Sequence, residues 1–587
     1  MANKLRNLPY GMTDFATIRR EDYYYVDKSG YIPRLETVRF ALFLRPRRFG
    51  KSLFTNMLKA YYDINYAEKF DALFGNLEIG KSPTELHNTY LVLSFNFSAV
   101  KSSPEQVQES FNSLALTQIG NFISNYESIL PAGARKEVME SGLDCAEALL
   151  QVSTICSKAN QKIYLVIDEY DNFANTLMSV DRGSYEKILH ADGFIRYFYN
   201  VLKAATTENQ AAIDRIYITG VSPLCLSDVT SGFNIAANLS TDPRFNAMVG
   251  FTEGDVRTML EYYSPALGDS PDIEGNLLPA MKAYYDNYCF SEDAAEDGEH
   301  LFNSDMALYF IDKCISRKGK IPKVMLDSNA KQDYNKIRMM IRYESQFGEK
   351  SEKMQSILNN GYTVSSINPE FQIRELTSPQ NLVSLLFYLG LLTYGKVRLA
   401  NQNAEVIIPK VANEAMRQQY GTYLNDTYGD ALHWRTDSSK LDELWNSWQF
   451  FGQWEPLITY IASVMHDNDS VRDFGPEGEQ FVKGFMLAHL CNGNGYVIRT
   501  EAEMGHGYSD IYLYPIASEY RHALVLELKY LKPTESDDKV KATAKLAKEQ
   551  VAAYVADKRL RDEAETRGWT LTAAIAVFRG WKAEVIA

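Results

Sequence analysis

Cysteine is scarce in this chain. There are six (Cys145, Cys156, Cys225, Cys289, Cys314 and Cys491) among 587 residues, and no two stand at C-x-x-C spacing. Neither a zinc site nor a disulfide framework is therefore expected, and reduced thiols in a cytoplasmic protein are the simplest reading. Long apolar runs are missing too. No stretch approaches the roughly 18–20 apolar residues of a membrane span. The opening Met1-Ala2-Asn3-Lys4-Leu5-Arg6-Asn7-Leu8-Pro9 lacks the apolar core of a signal peptide. No membrane partner is expected. Internal repeats and low-complexity tracts are absent. Positive charge is in deficit: 61 Lys+Arg against 75 Asp+Glu leave a net charge of −14. Any nucleic-acid contact must then come from a local basic patch. What is present is enough apolar material, 45% of residues, to fill the cores of about three or four domains.

The most informative segment is Arg45-Pro46-Arg47-Arg48-Phe49-Gly50-Lys51-Ser52. It follows a short apolar strand candidate, Phe40–Leu44, and opens a helix-like stretch from Leu53 to Tyr62. Strand, Gly-Lys-Ser, helix is the setting of a phosphate-binding P-loop. The helix N-terminus offers free N–H groups and a positive dipole end to a polyphosphate. Lys51 can reach the β- and γ-phosphates of ATP and Ser52 can hold Mg²⁺. The P-loop pattern wants glycine at position 45, where the backbone turns tightly. Arg45 followed by Pro46 implies a differently shaped loop, to which Arg47 and Arg48 add charge.

A second apolar run, Lys162–Ile167, reads as a buried parallel strand and ends in Asp168-Glu169-Tyr170-Asp171. An acid at this strand end is where P-loop NTPases place the Mg²⁺ partner. Asp168 would hold the ion through water, and Glu169 would orient and deprotonate the attacking water. A third strand candidate, Arg215–Ile218, leads to Thr219-Gly220-Val221-Ser222. Thr219 or Ser222 is a candidate γ-phosphate sensor, and a plain strand-to-turn junction is the alternative. Tyr90–Phe97 is a further strand, and strands alternating with helices predict a wound parallel sheet.

After a loop over 232–244, Thr252 reads as the N-cap of a helix with Asp255 at its third residue. Helical character then continues to about Tyr343, interrupted by the acidic loop Ser291–His300. Gly348–Pro369 reads as a polar connection. An apolar helix over 381–390 precedes a hairpin of 391–394 with 405–409, a winged-helix-like arrangement. Residues 435–469 read as linking helices.

The last segment carries a second chemistry. Glu479 lies on an amphipathic helix candidate, 478–485. Strand candidates follow at 496–501, at 511–514 just after Asp510, and at 523–530. Glu527 and Lys529, two apart, share one strand face. Charges on an otherwise apolar strand are costly unless paired or functional. With Asp510 from the neighbouring strand, two carboxylates can hold a hard cation, Mg²⁺ or Mn²⁺. Lys529 can then position a nucleophile or neutralise charge on a scissile phosphate. An ion pair on an edge strand is the plainer alternative. Gln550 and Tyr554 share a helix face. Lys541, Lys545 and Lys548 form a stripe that reads as a solvated face.

These residues together resemble a family, the bacterial AAA-ATPase-like proteins with a C-terminal PD-(D/E)XK nuclease domain. The resemblance spans almost the whole chain. It runs from Leu8-Pro9-Tyr10-Gly11 and Tyr25-Val26-Asp27-Lys28-Ser29 through the Arg45–Ser52 loop, Ile167–Asp171 and Gly250-Phe251-Thr252-Glu253. It ends with Gly505-His506-Gly507, Asp510, Glu527-Leu528-Lys529 and Gln550. Arginine in place of the loop's first glycine is typical of that family. The resemblance implies Lys51 and Ser52 at phosphate and Mg²⁺, and Asp168 and Glu169 serving hydrolysis; Arg47, Arg48 and Gly50 of the loop, with Asp168, are the further candidates for holding ATP and its ion. It implies Asp510 and Glu527 at a nuclease metal, Lys529 catalytic, and Glu479 and Gln550 in support. Tyr508 departs from it, standing where an arginine is expected, and the wing near Pro409–Glu414 is altered.

The expected architecture is α/β throughout. A P-loop AAA-like ATPase domain (1–254) with a wound parallel sheet comes first. A helical lid-like domain (255–345), a winged-helix-like domain (346–434) and a helical linker (435–470) follow. A restriction-endonuclease-like α/β domain (471–587) ends the chain. The expected function is an ATPase whose nucleotide state controls a metal-dependent nuclease acting on DNA, foreign or mobile DNA by family analogy, with a homo-oligomer possible. A nucleotide-switched binding protein with a non-cutting nuclease-like domain is the main alternative, and an assembly ATPase without a nucleic-acid ligand is a third.

Overall fold

The computed structural model describes residues 5–175, 193–207, 211–224, 227, 235–327, 349–399, 405–432, 436–466, 478–491, 493, 495–504, 507–517 and 519–587. Gly505, His506 and Cys225 lie outside the described residues, as do the side chain of Tyr508 and the hairpin tip.

The N-terminal sheet holds β1 (Phe40–Leu44), β2 (Leu91–Asn96), β3 (Ile163–Asp168), β4 (Ile213–Gly220) and β5 (Ala237–Asn238). They run parallel in the order β2-β3-β4-β1-β5. Every residue of β3 is buried, as expected of a parallel strand covered on both faces. Because β4 lies between β1 and β3, the ends of β1 and β3 open on one sheet edge, roughly 10 Å apart at ~4.8 Å per strand.

Helix α1 (Lys51–Tyr62) leaves β1 through the loop, and its N-cap Gly50 has φ +90°, a conformation glycine adopts without strain. The middle of the chain supplies α2 (Glu253–Tyr263), α3 (Leu278–Tyr285), α4 (Ser304–Ser316) and α5 (Pro379–Tyr388). Thr252 caps α2 in a reciprocal box with Asp255, as its sequence predicts. Antiparallel β6 (Leu392–Arg398) and β7 (Glu405–Val411) form the expected hairpin.

The C-terminal domain opens with α6 (Gly478–Leu490). Its sheet holds β8 (Tyr496–Met504), β9 (Gly507–Pro515), β10 (His522–Leu531), β11 (Thr570–Arg579) and β12 (Lys582–Ile586), in the order β12-β11-β10-β9-β8. Only the β10–β11 pair is parallel. Helix α7 (Asp537–Val555) packs on the face that presents Ala523, Val525 and Tyr512. The opposite face, with Leu524, Leu526 and Leu528, joins an apolar core that runs back through the helical middle to the first sheet.

The structure corrects four local expectations. The loop expected over 232–244 contains β5, which uses the open edge of β1; Leu239 donates its N–H to the Leu42 carbonyl at 2.8 Å. The acidic loop contains a helix, Glu292–Glu296, whose leading Glu292 and Asp293 suit a helix N-terminus. The connection expected from Gly348 is in part the helix Glu349–Asn360, whose narrow buried stripe, Met354 and Ile357, is hard to see in a polar sequence. Asp510 lies inside β9, not in the turn before it. Among the described residues no helix is long and apolar enough to cross a membrane, and the five described cysteines are free and buried.

Candidate nucleotide and metal sites

The loop after β1 explains the arginine at its head. The Arg45 side chain is 1% exposed and points into the protein. Its guanidinium lies 4.3 Å from the ring centres of both Phe43 and Phe290. It donates to the carbonyls of Leu44 (2.9 Å), Ser240 (2.6 Å), Phe245 (3.1 Å) and Asn246 (3.3 Å). Burial pulls its pKa down to about 9. Arg45 is thus a post that ties the loop to residues 240–246.

Arg47 donates to Asn172 Oδ1 at 3.0 Å. Arg48 has φ +69° and its guanidinium meets Asp305 at 2.6 Å and Asp327 at 3.7 Å. The start of α4 also grips the loop backbone. Asn303 donates to the Arg47 carbonyl at 3.3 Å, and the Ser304 hydroxyl and Asp305 N–H donate to the Arg48 carbonyl at 3.1 and 3.2 Å. The helical middle is therefore bonded directly to the P-loop, a link the sequence did not show.

Lys51 is buried, and its ammonium donates to the Pro46 carbonyl at 3.1 Å. Burial lowers its pKa, against the opposing charges of Glu169, Asp168 and Asp171. Glu169 sits at φ +54°, a strain of about 1–3 kcal/mol of the kind found at functional sites. Burial raises its carboxyl, Lys51 opposes that, and Asp171 and Asp168 add to it. Asp168 accepts the Glu169 N–H at 3.0 Å. Gly50, Lys51, Ser52, Arg47, Arg48 and Glu169 line one cavity of about 420 Å³. Its far wall is apolar, with Pro9, Tyr24, Val26, Met248 and Phe251. Lys51 and Ser52 from the loop and Glu169 from the end of β3 thus line one cavity, whereas Asp168 is not among its lining residues.

Asp171 ends the acidic segment that follows β3. It is fully buried and accepts from the Ser222 N–H (2.7 Å), the Val221 N–H (3.1 Å) and the Asn175 amide (2.6 Å). It clamps the ends of β3 and β4 together. A Cβ on Gly220 would collide with Asp171 and Tyr170, so glycine is required there. Ser222 and Thr219 are also fully buried. The Ser222 hydroxyl donates to Asp171 and the Thr219 hydroxyl to the Phe43 carbonyl, at 3.2 and 2.8 Å. Both side chains are engaged in joining strands, which corrects the sensor expectation.

In the C-terminal domain β10 is the central strand, not an edge. Glu527 is 2% exposed, and among the described residues its Oε2 has no hydrogen-bond partner. Lys529 donates to Oε1 at 2.6 Å. Burial raises the Glu527 carboxyl, Asp510 adds to this, and Lys529 opposes it. On Lys529 burial acts downward, but the bond and charge of Glu527 and the charges of Asp510 and Glu479 leave its pKa raised. Asp510 accepts the Leu528 N–H at 2.9 Å across the β9–β10 boundary. By strand alternation Asp510 shares the face of Tyr512, and Tyr512 pairs with Val525 on the Glu527 face. Gln550 donates to the Tyr554 hydroxyl at 2.5 Å on α7. The charges of Glu527, Lys529 and Asp510 are felt at Tyr554, so helix and strand converge. Asp510, Glu527 and Lys529 thus lie close together at β10, whereas Glu479 and Gln550 are linked to them only through a charge acting on Lys529 and a bond to Tyr554.

Sequence reasoning missed Lys483. It is buried on α6, one turn after Glu479, with its ammonium 3.9 Å from Asp510 Oδ1. A lysine on the apolar face of an amphipathic helix was the available signal. Lys541, Lys545 and Lys548 are exposed, as a solvated stripe should be. Among the described residues no group of three or more His, Cys, Asp or Glu forms a metal cage. Oxygen donors from two carboxylates, one with an orphaned buried oxygen, nonetheless suit a hard divalent cation.

Residues 9–230 match the family model described as "Predicted AAA-ATPase" and residues 477–587 match the "PD-(D/E)XK nuclease superfamily". A protein of Azotobacter chroococcum mcd 1, described as "Uncharacterized protein in vnfD 5'region", is 26% identical over 309 residues. The match covers 52% of this chain and 52% of that relative, so the chain spans about half the length of the curated relative it matches. Two solved structures are similar at 11% identity. Cdc6p from Pyrobaculum aerophilum has a TM-score of 0.24 and covers 67% of this chain and 88% of its own. The Aeropyrum pernix ORC2 protein has a TM-score of 0.31 and covers 73% and 97%. The chain thus carries family-model matches to a predicted AAA-ATPase domain over residues 9–230 and to a C-terminal PD-(D/E)XK nuclease superfamily domain over residues 477–587.

Proposed function

We propose that this protein binds and hydrolyses ATP, and that its nucleotide state controls a metal-dependent nuclease acting on DNA. The observation that carries this reading is the presence of two separate sets of reactive groups in one chain. One is Lys51, Ser52 and Glu169 around a single cavity with an apolar wall. The other is Asp510, Glu527 and Lys529 at a central strand, with an unsatisfied buried carboxylate oxygen.

At the first site the N–H groups opening α1 and the Lys51 ammonium bind the phosphates, with Arg47 and Arg48 adding charge. Ser52 and Asp168 would hold Mg²⁺. Glu169 orients water in line with the γ-phosphate and accepts its proton; its raised carboxyl makes it a better base than an exposed glutamate. At the second site Asp510 and Glu527 would hold Mg²⁺ or Mn²⁺, which when bound acidifies water and stabilises phosphate charge. Lys529 shifts from its bond with Glu527 toward the scissile phosphate, while Glu479 and Gln550 orient it and the water.

A second reading, binding of nucleic acid without cutting, has one observation in its favour. Each carboxylate already faces a lysine, Glu527 with Lys529 at 2.6 Å and Asp510 with Lys483 at 3.9 Å. Titration of the full chain with Mn²⁺ by calorimetry separates the two. Binding lost in Asp510→Asn supports the nuclease; no Mn²⁺ binding by the wild type at neutral pH supports the second reading.

A further inference from the structure

A second cleft, of about 590 Å³, opens where the helical middle, the hairpin and the C-terminal domain meet. Its size is that of a small-molecule site. Five basic side chains line it: Lys282 from α3, Lys410 from β7, Arg417, Arg499 from β8 and Arg567. Only two acids, Glu414 and Glu563, lie among its walls. In a chain of net charge −14, this is a local reversal of sign.

The five cations are not all spent on partners. Lys282 meets Glu253 at 2.6 Å, and Arg567 donates to the Gly275 carbonyl at 2.6 Å. Arg417 stands 3.5 Å from the buried Glu414, yet among the described residues its Nε has no hydrogen-bond partner. Lys410 and Arg499 have no carboxylate within the 4 Å of an ion pair among the described residues. Lys410 is moreover half-buried, and burial pulls its pKa down against the charges of Glu405 and Asp286, so a close anion would offset its desolvation. The wall beside them is aromatic. The Arg499 guanidinium lies 5.2 Å over the Tyr514 ring, and Tyr514 lies 5.4 Å from Trp569 at 32°. Cations beside an aromatic wall suit a phosphate attached to a flat base.

We propose that this cleft is a second nucleotide site, separate from the P-loop. Lys410, Arg417 and Arg499 take the phosphate, and the base lies against Trp569 and Tyr514. The ligand is either a free nucleotide or the 5′-phosphorylated terminal nucleotide of a single strand. Because the cleft is walled by both the helical middle and the C-terminal sheet, its occupant holds these two parts together.

The test uses the full chain carrying Lys51→Ala, which removes phosphate binding at the P-loop, so the result does not depend on whether that loop takes ATP. AMP, ATP and a short 5′-phosphorylated oligothymidylate are titrated while Trp fluorescence and heat are followed. Arg499→Gln and Lys410→Gln are each added to this background, with Lys545→Gln on the solvated stripe as control. Binding should weaken with salt, and each cleft variant should lower affinity about tenfold or more, with the control unchanged. Binding of AMP or ATP with this pattern identifies a free nucleotide; the pattern with the oligonucleotide alone identifies a strand terminus. Binding unaffected by Arg499→Gln and Lys410→Gln, or no binding of any of the three probes, overturns the proposal.

Discussion

Arg45 and Lys51 sit six residues apart in one loop and do different work. Arg45 satisfies four carbonyls and two aromatic faces inside the protein, whereas Lys51 lines the cavity. Arg45→Ala should lower stability by about 3 kcal/mol or more, because it leaves a void and orphaned carbonyls. Chemical denaturation checks this. Lys51→Ala should leave the midpoint nearly unchanged and lower ATP affinity at least ~100-fold, about 2.7 kcal/mol. A stable Arg45→Ala protein would show that the arginine is not a structural post. The same logic applies to Glu527. Its carboxyl is raised by burial first and by Asp510 second, so the ionised form is held at a cost. Glu527→Gln should therefore keep or slightly raise the melting temperature while Mn²⁺ affinity falls at least ~10-fold. A large loss of stability would mean that the Lys529 pair is structural.

At the scale of elements, α6 brings Glu479 and Lys483 to the C-terminal site and also holds an acid-sensitive group. His489 is buried, with Nδ1 at 2.9 Å from the Phe485 carbonyl and Nε2 at 3.1 Å from the Thr436 hydroxyl. Burial lowers its pKa to about 4, against the opposing Phe485 bond. Below its ordinary value near 6.5, the unfolded chain takes up a proton that the folded chain refuses. Stability should then fall as pH drops from about 6.5 toward 4, by up to ~3 kcal/mol. His489→Gln should flatten that slope, as read from melting temperatures across the window; an unchanged slope would assign the acid sensitivity elsewhere.

How well elements were legible in the sequence follows from their contrast. β1, β3 and β10 are apolar runs broken by turn or acidic residues, and each was readable to within a residue or two. So was α2, from its cap. The two-residue β5 and the polar helix Glu349–Asn360 have no periodic signal strong enough to read. At the proposed sites, Lys51, Asp168, Glu169, Asp510, Glu527 and Lys529 stand out in the sequence because each is a charge beside or on the face of an apolar run. The roles of Arg45, Asp171 and Lys483 were not. They depend on contacts with residues about 30 to 245 positions away, such as Asp171 with Ser222 and Arg45 with Phe290.

At the scale of the molecule, the P-loop and the C-terminal site are joined by a continuous physical path. The start of α4 grips Arg47 and Arg48, and one apolar core runs on to the Leu526 face of β10. Nucleotide controls the second site only if it binds two conformations with different affinity. The direct measurement is cleavage of plasmid DNA in Mg²⁺ or Mn²⁺, with and without saturating ATP. It compares the wild type with Lys51→Ala, Glu169→Gln and Lys529→Ala. The predicted result is ATP-dependent cutting by the wild type and altered cutting by Lys51→Ala and by Glu169→Gln, which traps ATP. Lys529→Ala should not cut, with ATP turnover largely intact. Equal cutting by all proteins that retain Lys529, at zero and at saturating ATP, would contradict nucleotide control. Absence of cutting by the wild type under every condition would contradict the nuclease itself.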